Sequence, residues 1–342
     1  MRKSAYLLAL PCFFSMLASG ACSSSESTPS PNPQSEVDAG EGGVVDEDSG
    51  NNVPVDAGPD RVVPTLPKCD VAKPFGAPAP LPELGDVVGG SLTDDELTIV
   101  YVNDSVSDPG TLALFQARRA TVGGSFGSIT ELSTVHSAGF RDNTPRISAD
   151  GTKLYFSSNR PGGGGSAGST HIWAATRASV TAAFGSASLL AIPAVSGAGA
   201  GEEFVLEEPF FSRDGKEFWF DRVTAGPVTQ ALWVAPVSGT SIGTPTQSPV
   251  SIGGFEGTPV LSADGLTLYF TSSTAFSGAQ GALDIWKATR AATTGGFGSP
   301  SNVGELNSAS NDRLNHISID GCRAYLRSAR APAGLYVATR PQ

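Results

Sequence analysis

The sequence predicts an all-β fold, a β-propeller of four-stranded blades. Three observations predict it: a recurring Asp-Gly hairpin, an aromatic strand behind each hairpin, and a near-constant spacing between copies. The copies centre on Asp95, Asp150, Asp214, Asp264 and Asp320, which step by 55, 64, 50 and 56 residues. Thr144–Ser158 is the clearest, with Glu208–Phe220 and Thr258–Phe270 close to it. Leu314–Leu326 is more diverged, and Leu92–Tyr101 is the weakest. Residues 69–342 supply about 55 positions per copy, so five blades are predicted. Six is the alternative, if the long step between Asp150 and Asp214 hides a further unit.

Each element of the unit has a local reason. A short first strand such as Arg146–Ser148 leads into Asp-Gly, the pair that a tight primed hairpin turn favours because it needs positive φ. The second strand follows, as in Leu154–Phe156, then a polar, glycine-rich loop. The third strand is His171–Arg177, Asp284–Arg290 and Gly334–Arg340, with Leu114-Phe115 and Leu232-Trp233 in the other copies. Trp173, Trp233 and Trp286 hold equivalent third-strand positions and Trp219 a second-strand one, which marks them as blade core. The fourth strand opens at Phe126-Gly127, Phe184-Gly185 and Phe297-Gly298, with Ile242-Gly243 in the third copy. The last copy reaches Gln342 without such a strand, and Pro74–Leu84 looks like Gly296–Leu306. An N-terminal strand is therefore expected to complete the C-terminal blade, close the ring and remove an open sheet edge.

The Pro-x-x-Ser-x-Asp-Gly-x-x-Leu-Tyr-Phe core, Ser158-Asn-Arg-Pro-Gly162 and Asp284-Ile-Trp286 resemble the WD-like propeller repeat of the TolB type, over residues 75–340. The resemblance implies a bacterial envelope protein that serves as a protein-interaction platform, with some neighbours that bind or cut sugars. TolB-type propellers usually have six blades, so a count of five departs from the pattern. Fold of this kind does not assign function.

Ahead of the repeats, Met1-Arg-Lys3, an apolar run from Ala5 to Ala18 and then Ser19-Gly-Ala-Cys22 read as an export signal of lipoprotein type, with Cys22 as the lipidation site. Ser19 stands where such signals usually carry a leucine-like residue, and ordinary cleavage is the alternative. A lipidated Cys22 would hold the chain to a membrane through acyl chains alone. Residues 23–68 carry nine acidic and two basic residues among Ser, Pro and Gly, and are expected to form a disordered tether. The whole chain has a net charge of −11, which argues against nucleic acid and anionic lipid headgroups as partners. Cys69 and Cys322 fall at the same edge of the last blade, and a disulfide between them would latch the ring.

Little of the sequence points to chemistry. The repeated aspartates are read as turn formers that also meet Arg119, Arg177, Arg290 and Arg340. Gly164–Gly168 and Gly123–Gly127 match Gly-x-Ser-x-Gly, but neither opens a helix, as that nucleophile turn requires. His136, His171 and His316 lack the spacing of metal ligands, and no cofactor is expected.

The remaining constellation is the propeller mouth, formed by the segments that lead into the first strands and by the loops between strands two and three. It gathers Asp86, Asp142, Arg160, Glu207, Glu208, Glu256, Asp312 and Arg313, with Arg141 beside them. The expected function is non-catalytic: a monomeric envelope scaffold that presents this mouth to a protein partner. A carbohydrate-binding role is the alternative, and hydrolysis of a glycoside by the mouth carboxylates is the further one.

Overall fold

The computed structural model describes residues 69–162, 169–194, 205–225, 228–251, 254–273 and 278–342. The export signal with Cys22, the tether 23–68 and the Gly-x-Ser-x-Gly match at 164–168 lie outside these residues.

Five antiparallel sheets form five blades. The first blade runs through Gly90–Leu92, Thr98–Asp104, Leu112–Arg118 and Gly127–Glu131. The second uses Asp142–Ile147, Lys153–Ser158, His171–Thr176 and Ser188–Leu189. The third uses Val205–Phe211, Glu217–Ala225 and Val228–Ser238, and its last strand pairs with both Ser241–Ile242 and Thr246–Gln247. The fourth contains Glu256–Leu261, Thr267–Ser272, Asp284–Thr289 and Ser301–Asn302. The fifth contains Asp312–Ile317, Arg323–Ser328 and Gly334–Thr339, and is completed by Ala79–Pro80. Each first strand packs against the first strand of the next blade, and the fifth returns to the first, so the ring is closed.

Ring closure follows the expected route. Ala79 and Pro80 lie opposite Val337 and Tyr336, flanked by Gly76 N–H to the Thr339 carbonyl and Leu81 N–H to that of Leu335. The disulfide between Cys69 and Cys322 spans 253 residues and ties this segment to the second strand of the same blade.

The hairpin turn differs in detail from the primed two-residue form. Gly151 N–H bonds the Ser148 carbonyl, Ser148 N–H bonds that of Lys153, and of the turn only Gly151 takes positive φ. This is a four-residue loop, residues 149–152, with its glycine left-handed, and it recurs at Gly215, Gly265 and Gly321. The aspartates shape these turns as predicted. Asp264 accepts from the Ser262 hydroxyl at 2.6 Å and the Leu266 N–H at 3.0 Å, and both bonds hold its carboxyl below the usual range. Among the described residues the strand-end arginines form no ion pair with Asp150, Asp214, Asp264 or Asp320, and Asp150 acts on Arg177 only through its field. Instead Arg119, Arg177, Arg290 and Arg340 each donate Nε to the carbonyl of the residue after the aspartate. Each also lies over the aromatic ring of the Phe-Gly strand: Phe126, Phe184, Phe297 and Phe75. The aromatic signature of one strand is thus the seat for the arginine of the previous one.

Apolar residues on both strand faces pack blade against blade. Phe156 and Phe270 are fully buried, as are the cores around Trp286 and Trp219, and each such ring contributes roughly 2–3 kcal/mol of burial.

Candidate functional site

A bulge lies near the start of the first strands of the second to fifth blades, and in the second, third and fourth it falls at the residue before a proline. Thr144, Glu208 and Thr258 adopt positive φ, and the register slips beside each of them. These residues form a belt between blades. Glu208 N–H bonds the Thr144 hydroxyl at 3.1 Å, and Thr258 N–H bonds Glu208 Oε2. Glu208 therefore stands where its neighbours carry threonine, and its longer side chain brings a carboxylate into the belt.

Four of the predicted mouth residues turn inward. Asp142, Glu256 and Asp312 begin their first strands and have no exposed surface. Asp142 accepts from Arg160 Nη2 and faces His136 Nδ1 at 2.8 Å. Asp312 accepts from Arg330 Nη2 at 2.8 Å and from Ser308 N–H at 2.7 Å. Glu256 accepts from the Ser251 hydroxyl at 2.6 Å. Arg160 is buried over the Phe156 and Trp173 rings. The expectation of an open rim at these positions is corrected: an aspartate at the strand start meets the arginine of its own second loop and holds the blade together. Asp86 is exposed and accepts from Arg327 Nη2 at 2.8 Å. Arg141 is exposed, with its N–H bonded to Asn159.

What remains is a group centred on the third blade. Glu207 and Asp221 are cross-strand partners, so their side chains share one face, and Glu208 is the bulge residue beside them. Arg313 reaches from the fifth blade to Glu208 Oε1 at 3.3 Å and lies 4.9 Å over the Phe255 ring. Asp221 is fully buried; Oδ2 accepts from Gln230 Nε2, and Oδ1 has no hydrogen-bond partner among the described residues. Burial pushes the Asp221 carboxyl well above the usual range, and Glu208 and Glu207 add to this. Burial also lifts Glu207, to about 7, with Glu208 adding to the rise and Arg313 opposing it. Gly257 makes room for the group: a Cβ there would lie 2.7 Å from Glu208 Oε2 and 3.1 Å from Gln230 Nε2. Asp221 and Gln230 escape sequence reasoning, since neither belongs to the repeat; Gly257, where its neighbours carry Asn143 and Glu207, was the one available signal.

A carboxyl that holds its proton up to about 7 when folded, and only to the ordinary carboxylate range when unfolded, binds more protons in the folded chain between those limits. Stability therefore falls as pH rises through that window. Glu207→Gln is expected to flatten the slope and raise stability at about pH 8 by on the order of 1 kcal/mol. Urea midpoints at acidic and alkaline pH would check this.

No family model matches the sequence, and no curated protein does. The chain is similar to several solved structures. The endo-arabinase from Bacteroides thetaiotaomicron VPI-5482 is 12% identical with a TM-score of 0.50, covering 78% of this chain and 97% of that one. A thermostable family-43 glycoside hydrolase is 12% identical with a TM-score of 0.47, over 74% and 88% of the two chains. A putative TolB from Agrobacterium tumefaciens is 18% identical with a TM-score of 0.43, over 76% and 71%. At these identities the arabinase likeness speaks for the fold alone, and the chain is a five-bladed β-propeller.

Proposed function

We propose that this chain is an exported, non-catalytic binding propeller of the bacterial cell envelope, which presents its mouth to a protein partner. One observation carries the reading: the mouth places acidic and basic groups side by side from different blades. Glu207 and Glu208 come from the third blade, Arg313 and Arg327 from the fifth, and Asp86 from the segment before the first; Asp221, opposite Glu207 on the next strand, is fully buried and adds no surface charge. A surface with both signs suits a polypeptide loop that also carries both. The disulfide fits an oxidising compartment, and the lipoprotein-type signal, acidic tether and sole attachment through Cys22 belong to the same reading.

A photo-crosslinking residue in place of Phe255 tests it. The expected result is one crosslinked envelope protein that disappears in Arg313→Glu and in Gly257→Ala. A crosslink that survives both changes would count against the mouth.

Hydrolysis of a glycoside is the second reading, favoured by Glu207, which can hold a proton near neutral pH. Against it, glycoside hydrolysis needs carboxyl groups that flank the scissile bond. Here all three carboxyls rise from neighbouring strands of one blade. A panel of soluble polysaccharides, scored for retention and for new reducing ends, separates the readings. Reducing ends that vanish in Glu207→Gln would make the chain an enzyme, and retention alone would make it a carbohydrate-binding propeller.

A further inference from the structure

On the side of the Asp-Gly turns, away from the mouth, a cavity of about 430 Å³ opens at the centre of the ring, lined by residues of all five blades and reaching between the second and third. Its volume lies within the range of about 300–1,000 Å³ usual for small-molecule sites. The walls are largely apolar, with Leu92, Tyr155, Phe210, Phe211 and Val260 among them. The rings of Tyr155 and Phe211 pack tilted at 4.6 Å between centroids, as do those of Phe211 and Phe218, so this wall is preformed.

The charged groups of the cavity do not balance. Arg213 is paired with Asp94, and Lys153 lies in the field of Asp150. Arg146 forms no ion pair among the described residues. It donates Nε to the Pro209 carbonyl at 3.3 Å and Nη1 to the Asn315 carbonyl, and packs 5.0 Å over Phe210. Glu208 acts on Arg146 through its field. His316, which also lines the cavity, is pushed down to about 3 by burial and then by Arg146, so it stays neutral and leaves the cationic excess in place.

We propose that this cavity binds a small organic anion: an apolar body carrying one carboxylate or sulfonate, with the apolar walls holding the body and Arg146 the anion. The site is separate from the mouth and does not depend on the reading above. A guanidinium held by two carbonyls keeps donors for an anion, and its partly dehydrated setting strengthens that bond.

The test uses the whole chain and two dyes with the same ring system. One is 1-anilinonaphthalene-8-sulfonate, an apolar body with one anionic group, and the other is N-phenyl-1-naphthylamine, which lacks the charge. The sulfonate is expected to bind at a single saturable site, about tenfold tighter than the neutral dye, the worth of one charge-assisted hydrogen bond. Decanoate is expected to displace it. Ala263→Trp, at an exposed position of the lining, is expected to abolish binding, and Arg146→Gln to reduce it to the level of the neutral dye, with recovery in Arg146→Lys. Equal affinity for the two dyes, or sulfonate binding unchanged in Ala263→Trp, would overturn the proposal. The dye pair and Ala263→Trp decide the matter even if Arg146→Gln fails to fold.

Discussion

Cys69→Ser, or reduction of the native chain, is expected to lower stability by up to about 5 kcal/mol, the loop-entropy value for so long a closed loop. The bond closes 253 residues, and Cys69 is the half-buried partner, so a serine there adds little cost of its own. The strand it secures is short. Ala79–Pro80 pairs through two residues, supported by Asp70 N–H to the Pro341 carbonyl and by buried Phe75 under Arg340. Once this strand detaches, Gly334–Thr339 becomes an open edge, which invites pairing between chains. A large drop in the urea midpoint, with association at high protein concentration, is the expected result. A change below about 1 kcal/mol would mean that the paired strand closes the ring without the bond.

Glu96→Gly is expected to cost about 2–4 kcal/mol, although it restores the glycine of the other turns. Glu96 holds the turn position of Gly151, Gly215, Gly265 and Gly321, with φ of 57°. Relieving that backbone returns about 1 kcal/mol. Removing the carboxylate costs more, because Glu96 is 2% exposed and gathers partners from the first and fifth blades. Arg323 donates Nε and Nη2 to its two oxygens at 2.7 Å each, and the Tyr325 hydroxyl donates at 2.6 Å. Arg119 lies 3.8 Å away and donates to the Tyr325 oxygen at 2.7 Å. Without Glu96, the buried Arg119 guanidinium loses its counter-charge and the half-buried Arg323 keeps only Asp320, at 3.1 Å; breaking a buried pair costs about 3–5 kcal/mol in comparable cases. Equal or greater stability of Glu96→Gly would show that the carboxylate does not clamp these blades.

Glu96 also shows where legibility stopped. Asp95-Glu96 made the first repeat look weak, since the hairpin signal needs glycine. The departure is a contact with Arg323, 227 residues away. The mouth repeats the lesson. Asp142 and Arg160 were recognisable as charged loop residues, yet their pairing depends on how a strand start and the following loop fold back together. Glu207, Glu208 and Arg313 were found by position, whereas Asp221 and Gln230 joined them only through strand register.

The repeat, the five blades, the strand that closes the ring and the Cys69–Cys322 bond were all determined by the sequence itself, because turns and strand periodicity are local properties that recur visibly. The tertiary structure alone decided which carboxylates are buried, which three share the channel, and that a cavity with an unbalanced arginine lies at its other end. Those properties depend on desolvation and on charges brought together from distant parts of the chain, and no local pattern encodes either.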